Sequence, residues 1–257
     1  MWDVAQYTRF QTERTRPFID LVNQITNADP KTVIDLGCGT GEQTATLLGR
    51  WPTARILGLD SSAEMLNKAG ARAQPGRLDF QFADIATWQP TGPVDIILSN
   101  AALHWLPDHL QLFARLASYL SSGGTLAVQM PNRFRAPSQQ AIEDAIAAGP
   151  WRDRLHNIGL HRESVLPTES YTRLLLSLGF TVNAWDTTYY HILHGEHASL
   201  EWLKGTALRP LLAVLPSNDH PAFLAAAAAR LNEAYLKENG TTVFPMQRLF
   251  VVATRTE

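Results

Sequence analysis

Residues 32–46, T-V-I-D-L-G-C-G-T-G-E-Q-T-A-T, constrain the fold more than any other stretch of the chain. The apolar run 33–36 ends in three alternating glycines, Gly37, Gly39 and Gly41. Such a run, bounded by a glycine cluster, predicts a buried parallel strand closing in a tight loop. Glycine accepts positive φ and lets a ligand approach the backbone closely. Residues 42–50 then favour a helix. Strand, glycine loop and helix together open the nucleotide-binding half of a doubly wound sheet.

The spacing of the loop discriminates between ligands. A dinucleotide site calls for G-x-G-x-x-G, with pyrophosphate on the helix N-terminus. Here the glycines run G-x-G-x-G, and Glu42 stands where the third glycine belongs. A carboxylate in the first helical turn repels a pyrophosphate, and Asp35 just before the loop adds a second negative charge. The loop therefore suits a cationic or zwitterionic ligand. With this D-x-G-x-G-x-G stretch the chain resembles the class I S-adenosylmethionine-dependent methyltransferases, which implies S-adenosylmethionine as the methyl donor.

Further acids recur at the ends of the next apolar stretches. Residues 53–60 (T-A-R-I-L-G-L-D) predict a second strand ending in Asp60, a position where such folds bind ribose hydroxyls. Asp60 otherwise reads as the N-cap of the next helix, a role that Ser61 or Ser62 could take instead. Met65, one turn into that helix, is a candidate to pack on the adenine or in the core. Residues 78–84 (L-D-F-Q-F-A-D) alternate as a third strand ending at Asp84. The resemblance implies that Asp84 receives the adenine amino group and that Ile85 flanks the ring. The fourth strand, 94–100, ends in Ser99 and Asn100 and leads into A-A-L-H-W-L-P-D-H, with His104 and Trp105 as candidate walls of the acceptor pocket. A helix is expected from Pro107 to Leu120, ended by Gly123 and Gly124, before a fifth strand, T-L-A-V-Q-M.

Upstream, residues 1–16 are polar and aromatic, and Pro17 is expected to start a helix. Residues 1–30 read either as a lid, with Tyr7 and Arg16 reaching the cofactor and Arg16 pairing with its carboxylate, or as a packed arm. Residues 31–131 form the cofactor-binding core. Residues 132–257 supply two more edge strands, 180–192 and 243–254, expected to pair antiparallel. The helices expected between them, 199–215 and 221–236, would form a cap. The fold class is thus α/β, a Rossmann-like, seven-stranded doubly wound sheet with its last strand antiparallel and a helical cap inserted between the last two strands.

Net charge of −2 in 257 residues gives no general attraction to nucleic acid or anionic membrane. The N-terminus lacks a basic-then-apolar leader, and no apolar run reaches membrane-spanning length. One cysteine, Cys38, excludes an internal disulfide and reads as a small filler in the loop. A cytoplasmic protein without an obligate protein partner is expected. His191, His194 and His197 match no standard zinc spacing, so no metal is expected.

Segments outside the core sharpen the resemblance. F-x-x-E-R-x-R-P at 10–17, W-L-P-D-H at 105–109, T-T-Y-Y-H at 187–191, G-T-A-L-R-P at 205–210 and F-P-M-Q-R-L-F-V-V-A at 244–253 resemble a branch of the same family that methylates small polycarboxylic acids. That resemblance implies methyl-ester formation. The residues agree with it. A carboxylic acid is ionised at pH 7 and needs no general base, so no catalytic residue beyond positioning groups is expected. Arginine forks match the remaining carboxylates. Candidate substrate ligands are His104, Trp105, Arg133, Tyr189, Tyr190, His191 and Arg209. On a strand Tyr189 and His191 share one face and Tyr190 takes the other. The competing readings are a methyltransferase for another small acceptor, such as a quinone or amine, and a non-catalytic binder of an adenosyl ligand or an NAD oxidoreductase.

Overall fold

The computed structural model describes residues 11–132, 136–156, 158 and 165–256. They fall into two compact units. The first contains 14–131, 165–187 and 248–256; the second contains 11–13, 132, 136–156, 158 and 188–247.

Apart from the first three residues of α1, the first unit has the order α1 (Gln11–Val22), β1 (Thr32–Leu36), α2 (Glu42–Arg50), β2 (Arg55–Asp60), α3 (Ala63–Ala69), β3 (Leu78–Phe82), β4 (Val94–Asn100), α4 (His109–Ser118) and β5 (Leu120–Pro131). The second unit carries α5 (Pro137–Ala148) and α6 (Arg152–Leu155). There follow α7 (Thr168–Ser177), β6 (Phe180–His194), α8 (Ala198–Lys204), α9 (Arg209–Val214), α10 (His220–Ala234), β7 (Lys237–Glu238) and β8 (Thr241–Arg255).

The sheet runs β3-β2-β1-β4-β5-β8-β6, with β7 paired to β8. Strands β1 to β5 are mutually parallel and β8 is antiparallel to β5. The order reverses at β1, the switch point at which open α/β sheets bind ligands. The start of β6 lies beside the end of β8, where the Thr256 N–H donates to the Gly179 carbonyl at 3.0 Å.

Alternation decides the layers. Leu126, Val128 and Met130 join Leu112, Phe113, Leu116 and Tyr171 in one apolar layer under α4 and α7. Ala127 and Gln129 therefore look to the opposite face, the one that α2 covers. At the N-terminal end of the sheet, Asp95 Oδ2 accepts from the Lys31 and Thr32 amides at 2.7 and 3.0 Å. Its Oδ1 accepts from the Ser121 hydroxyl at 2.8 Å, clamping the starts of β1, β4 and β5.

Several expected boundaries are corrected. Pro17 does not start α1; it lies inside it, which removes one interior N–H donor. The helix expected from Pro107 begins at His109, after a 3₁₀ turn over Leu103–Trp105, and ends at Ser118. Gly123 and Gly124 lie within β5, where the register with β4 slips, rather than ending the helix. The third strand stops at Phe82, leaving Asp84 in a turn. The helix expected over 199–215 is two helices, parted at Gly205.

The second unit has its own core, in which Trp151, Trp202, Leu208, Phe223, Tyr235 and Phe244 are buried together. Of the five consecutive alanines of α10, Ala227 and Ala228 are buried in this core, and α5 packs against α10. The Ser138 N–H at the start of α5 donates to the Tyr235 hydroxyl at 2.9 Å.

Candidate functional site

The glycine loop is built to turn without gripping an anion. Gly37, Gly39 and Gly41 all have positive φ, of 78°, 57° and 72°. A Cβ on Gly37 would lie 2.2 Å from the Ala102 Cβ, and one on Gly41 would lie 2.5 Å from the Phe80 ring. The loop amides are spent internally. Gly37 and Cys38 donate to the Leu59 carbonyl, at 2.8 and 3.0 Å, and Gly41 donates to the Cys38 carbonyl at 3.0 Å. The Gly39 N–H donates to Asp60 Oδ2 at 2.9 Å. A phosphate site needs such amides converging on the ligand; these four already have acceptors.

Acids edge the same loop. Asp35 is 3% exposed and accepts the Thr44 hydroxyl at 2.6 Å. Burial pushes its carboxyl up to about 6; the Thr44 hydrogen bond opposes the rise, and the negative charge of Asp60 adds to it. Asp60 Oδ1 accepts from the Ser62 amide at 2.8 Å, so both its oxygens organise the backbone and both keep a further lone pair. Glu42 is ion-paired to Arg72 at 2.9 Å, and Arg72 also donates to the Thr40 carbonyl. The repulsion expected from Glu42 is thereby softened, and Asp35 and Asp60 carry the acidity of the loop. Burial pushes the Cys38 thiol far up, with Asp35 and Asp60 reinforcing it, so the thiol is inert.

Ser62, not Asp60 or Ser61, caps α3 by accepting from the Met65 amide at 3.3 Å; Ser61 is exposed and Met65 is buried. Asp84 is exposed and accepts from the Ala86 amide at 2.9 Å, while Ile85 is half-buried near Gly37. Asn100 Nδ2 donates to Gln43 Oε1 at 3.0 Å. His104 is buried, with its ring 4.6 Å from that of the half-buried Trp105. The turn that carries them is held from below. His109 Nε2 meets the Leu103 carbonyl at 3.1 Å, so Nε2 carries the proton. His109 Nδ1 then accepts from the Tyr171 hydroxyl at 2.5 Å, and that hydroxyl accepts from the Leu166 amide. Burial holds the His109 imidazolium below its ordinary range, which keeps the ring neutral.

Arg16 is exposed on α1 and pairs with Asp20 at 3.9 Å. Tyr7 and Arg133 lie outside the described residues. In the second unit Tyr189 and His191 are buried and Tyr190 is 67% exposed, which settles the inward face of β6. Tyr190 therefore does not share the face of the other two candidates. His191 stacks on Trp202, with ring centres 4.6 Å apart. Arg209 is half-buried at the start of α9. The sequence reading missed Gln129 and Arg248, both buried polar residues at the carboxyl end of β5 and facing it on β8.

A sequence family described as a methyltransferase domain matches residues 10–184. This chain is a member of that methyltransferase family. Curated relatives of the methyltransferase span nearly its full length. A trans-aconitate 2-methyltransferase of Streptomyces avermitilis is 44% identical, over 98% of this chain and 96% of its own. One of the same name from Azoarcus sp. is 43% identical, over 99% of each. Among solved structures, the YcgJ protein of Bacillus subtilis superposes with a TM-score of 0.62 at 16% identity, covering 95% of this chain and 99% of its own. A putative S-adenosylmethionine-dependent methyltransferase of Listeria monocytogenes gives 0.53 at 16% identity, covering 94% and 98%. Those two likenesses concern the fold. Among the described residues, no helix is long and apolar enough to cross a membrane.

Proposed function

We propose that this methyltransferase transfers the methyl group of S-adenosylmethionine to a carboxylate of trans-aconitate, or of a similarly small polycarboxylic acid, forming a methyl ester. The observation that carries the donor is the closure of the glycine loop on its own acceptors and on Asp60. It leaves an acid-edged rim suited to a cation rather than to pyrophosphate. The names of the full-length relatives support the acceptor.

The donor supplies a methyl group activated on a positively charged sulfur. The chain holds it. Asp60 takes the ribose hydroxyls on its remaining lone pairs, with Gly37, Gly39, Gly41 and Ser61 around it. Met65, Asp84 and Ile85 take the adenine; Asn100 and Trp105 take the methionine end, to which Tyr7 and Arg16 are also assigned. Asp35 contributes negative charge beneath the sulfonium. No residue acts as general base, because the acceptor carboxylate is already ionised at neutral pH. Alignment of the carboxylate with the methyl carbon is the main task, an effect worth several kcal/mol. His104, Trp105, Arg133, Tyr189, His191 and Arg209 are assigned to the acceptor. We place the protein in the cytoplasm, consistent with its single cysteine.

The test is a steady-state survey of mono-, di- and tricarboxylic acids, a quinone and an amine. Trans-aconitate should have the highest kcat/KM, with kcat flat from about pH 7 to 9, above the titration of Asp35, because no general base titrates. Preference for the quinone or amine would refute the reading.

A further inference from the structure

Ladder register sets a row of side chains across the carboxyl rim of the first unit. Asn100 pairs with Gln129, and Gln129 with Phe250. On the other side, extending the β1–β2 ladder by one residue from Leu36–Leu59 sets Gly37 opposite Asp60. All lie on the face that α2 covers, as the Asn100–Gln43 bond shows. Arg248, two residues before Phe250, shares that face and is also buried.

Within this row Gln129 is anomalous. It is 1% exposed, yet neither its Nε2 nor its Oε1 has a hydrogen-bond partner among the described residues. The neighbouring Asn100 Oδ1 is likewise buried without a partner. Buried amides in native structures are nearly always bonded, because leaving one unmade destabilises the fold. A residue there only to pack would be apolar, as Ala127 and Val252 are on the same face. A donor and an acceptor held ready at a ligand-binding rim point to a ligand.

Charge along the row says which ligand. The acids Asp60 and Asp35 lie on β2 and β1, on one side of Asn100; the cation Arg248 lies on β8, on the other. The acidic side suits a cationic methyl donor and the basic side an anion. We infer that Gln129, with Arg248 beside it, binds a carboxylate of the acceptor, donating through Nε2. This rests on the methyl-transfer reading above and adds to it a subsite on β5 and β8. The Asn100 carbonyl, on β4 next to the acidic strands, is left for the ammonium or sulfonium of the donor.

The experiment compares Gln129→Met and Gln129→Glu with wild type, measuring KM for trans-aconitate, Kd for S-adenosylhomocysteine by calorimetry, and melting temperature. Losing a hydrogen bond to a charged group should raise KM about tenfold or more in Gln129→Met. Cofactor Kd should stay within about twofold, and the melting temperature should not fall, since an unbonded amide has been removed. Gln129→Glu should be worse near neutral pH and recover as pH falls and the new carboxyl regains a proton to donate. A packing role predicts no such recovery. Unchanged KM in both variants, a parallel loss of cofactor affinity, or a lowered melting temperature in both would overturn the subsite. Wild type inactive on every acid would instead overturn the reaction.

Discussion

Asp35 should make the ligand-free protein less stable above pH 6 than an asparagine would. Its carboxyl is raised from 3.8 to about 6 because it is buried, with Thr44 partly offsetting and Asp60 adding to the rise. The folded value lies above the unfolded one. The stability this group contributes is therefore fully present below about pH 4 and is lost as pH rises through about 6. A rise of that size corresponds to about 3 kcal/mol of differential stability. Asp35→Asn keeps an acceptor for the Thr44 hydroxyl and removes the charge. At pH 8 it should melt above wild type by several degrees, at about 2–4 °C per kcal/mol for a chain of this size. The assay is a pair of thermal melts from pH 4 to 8. The gap between variant and wild type should open between pH 4 and 6 and then level off. The same variant should bind S-adenosylmethionine more weakly if, as proposed, the charge that costs stability lies beneath the sulfonium. A gap independent of pH, or a wild type more stable than Asp35→Asn at pH 8, would refute the reasoning.

Three further outcomes follow from the same geometry. Asp60→Asn removes a charged acceptor from the loop and, as proposed, from the ribose, so calorimetry with S-adenosylhomocysteine should show about a tenfold or greater loss of affinity. Arg209→Ala should weaken trans-aconitate binding while leaving cofactor affinity intact; equal loss of both would show that its assignment is wrong. Tyr171→Phe leaves the buried His109 Nδ1 without a donor, and should cost about 1–3 kcal/mol in denaturant unfolding.

The parts of this fold that were legible in the sequence are those carried by period and punctuation. Residues 33–36 read as a buried strand because they are uniformly apolar, and Asp60 reads as a rim residue because it ends such a run. Asp84 was placed near the rim, but its strand ended two residues early because its own side chain caps a turn. Pro17 misled because proline favours a helix start and here lies within a helix. Gly123 and Gly124 punctuate, but the same glycines that end a helix also relax a strand where its register slips. The inward face of 187–191 follows from burial that alternation alone leaves open, since either parity of Tyr189 and Tyr190 is aromatic. Gln129 was invisible for a different reason. In T-L-A-V-Q-M it is one polar residue in a strand, and only the ladder to Asn100 and Phe250 shows that it is buried beside the rim.

On the proposed reading, a rim edged by Asp35 and Asp60 holds a donor whose methyl group passes to a carboxylate. The most direct measurement follows label from methyl-labelled S-adenosylmethionine during incubation with the protein and trans-aconitate. The account predicts catalytic transfer of label into a base-labile ester of the acid, with S-adenosylhomocysteine formed in equal amount. Donor that binds tightly while the label stays on it, with every acid tried, would contradict the account.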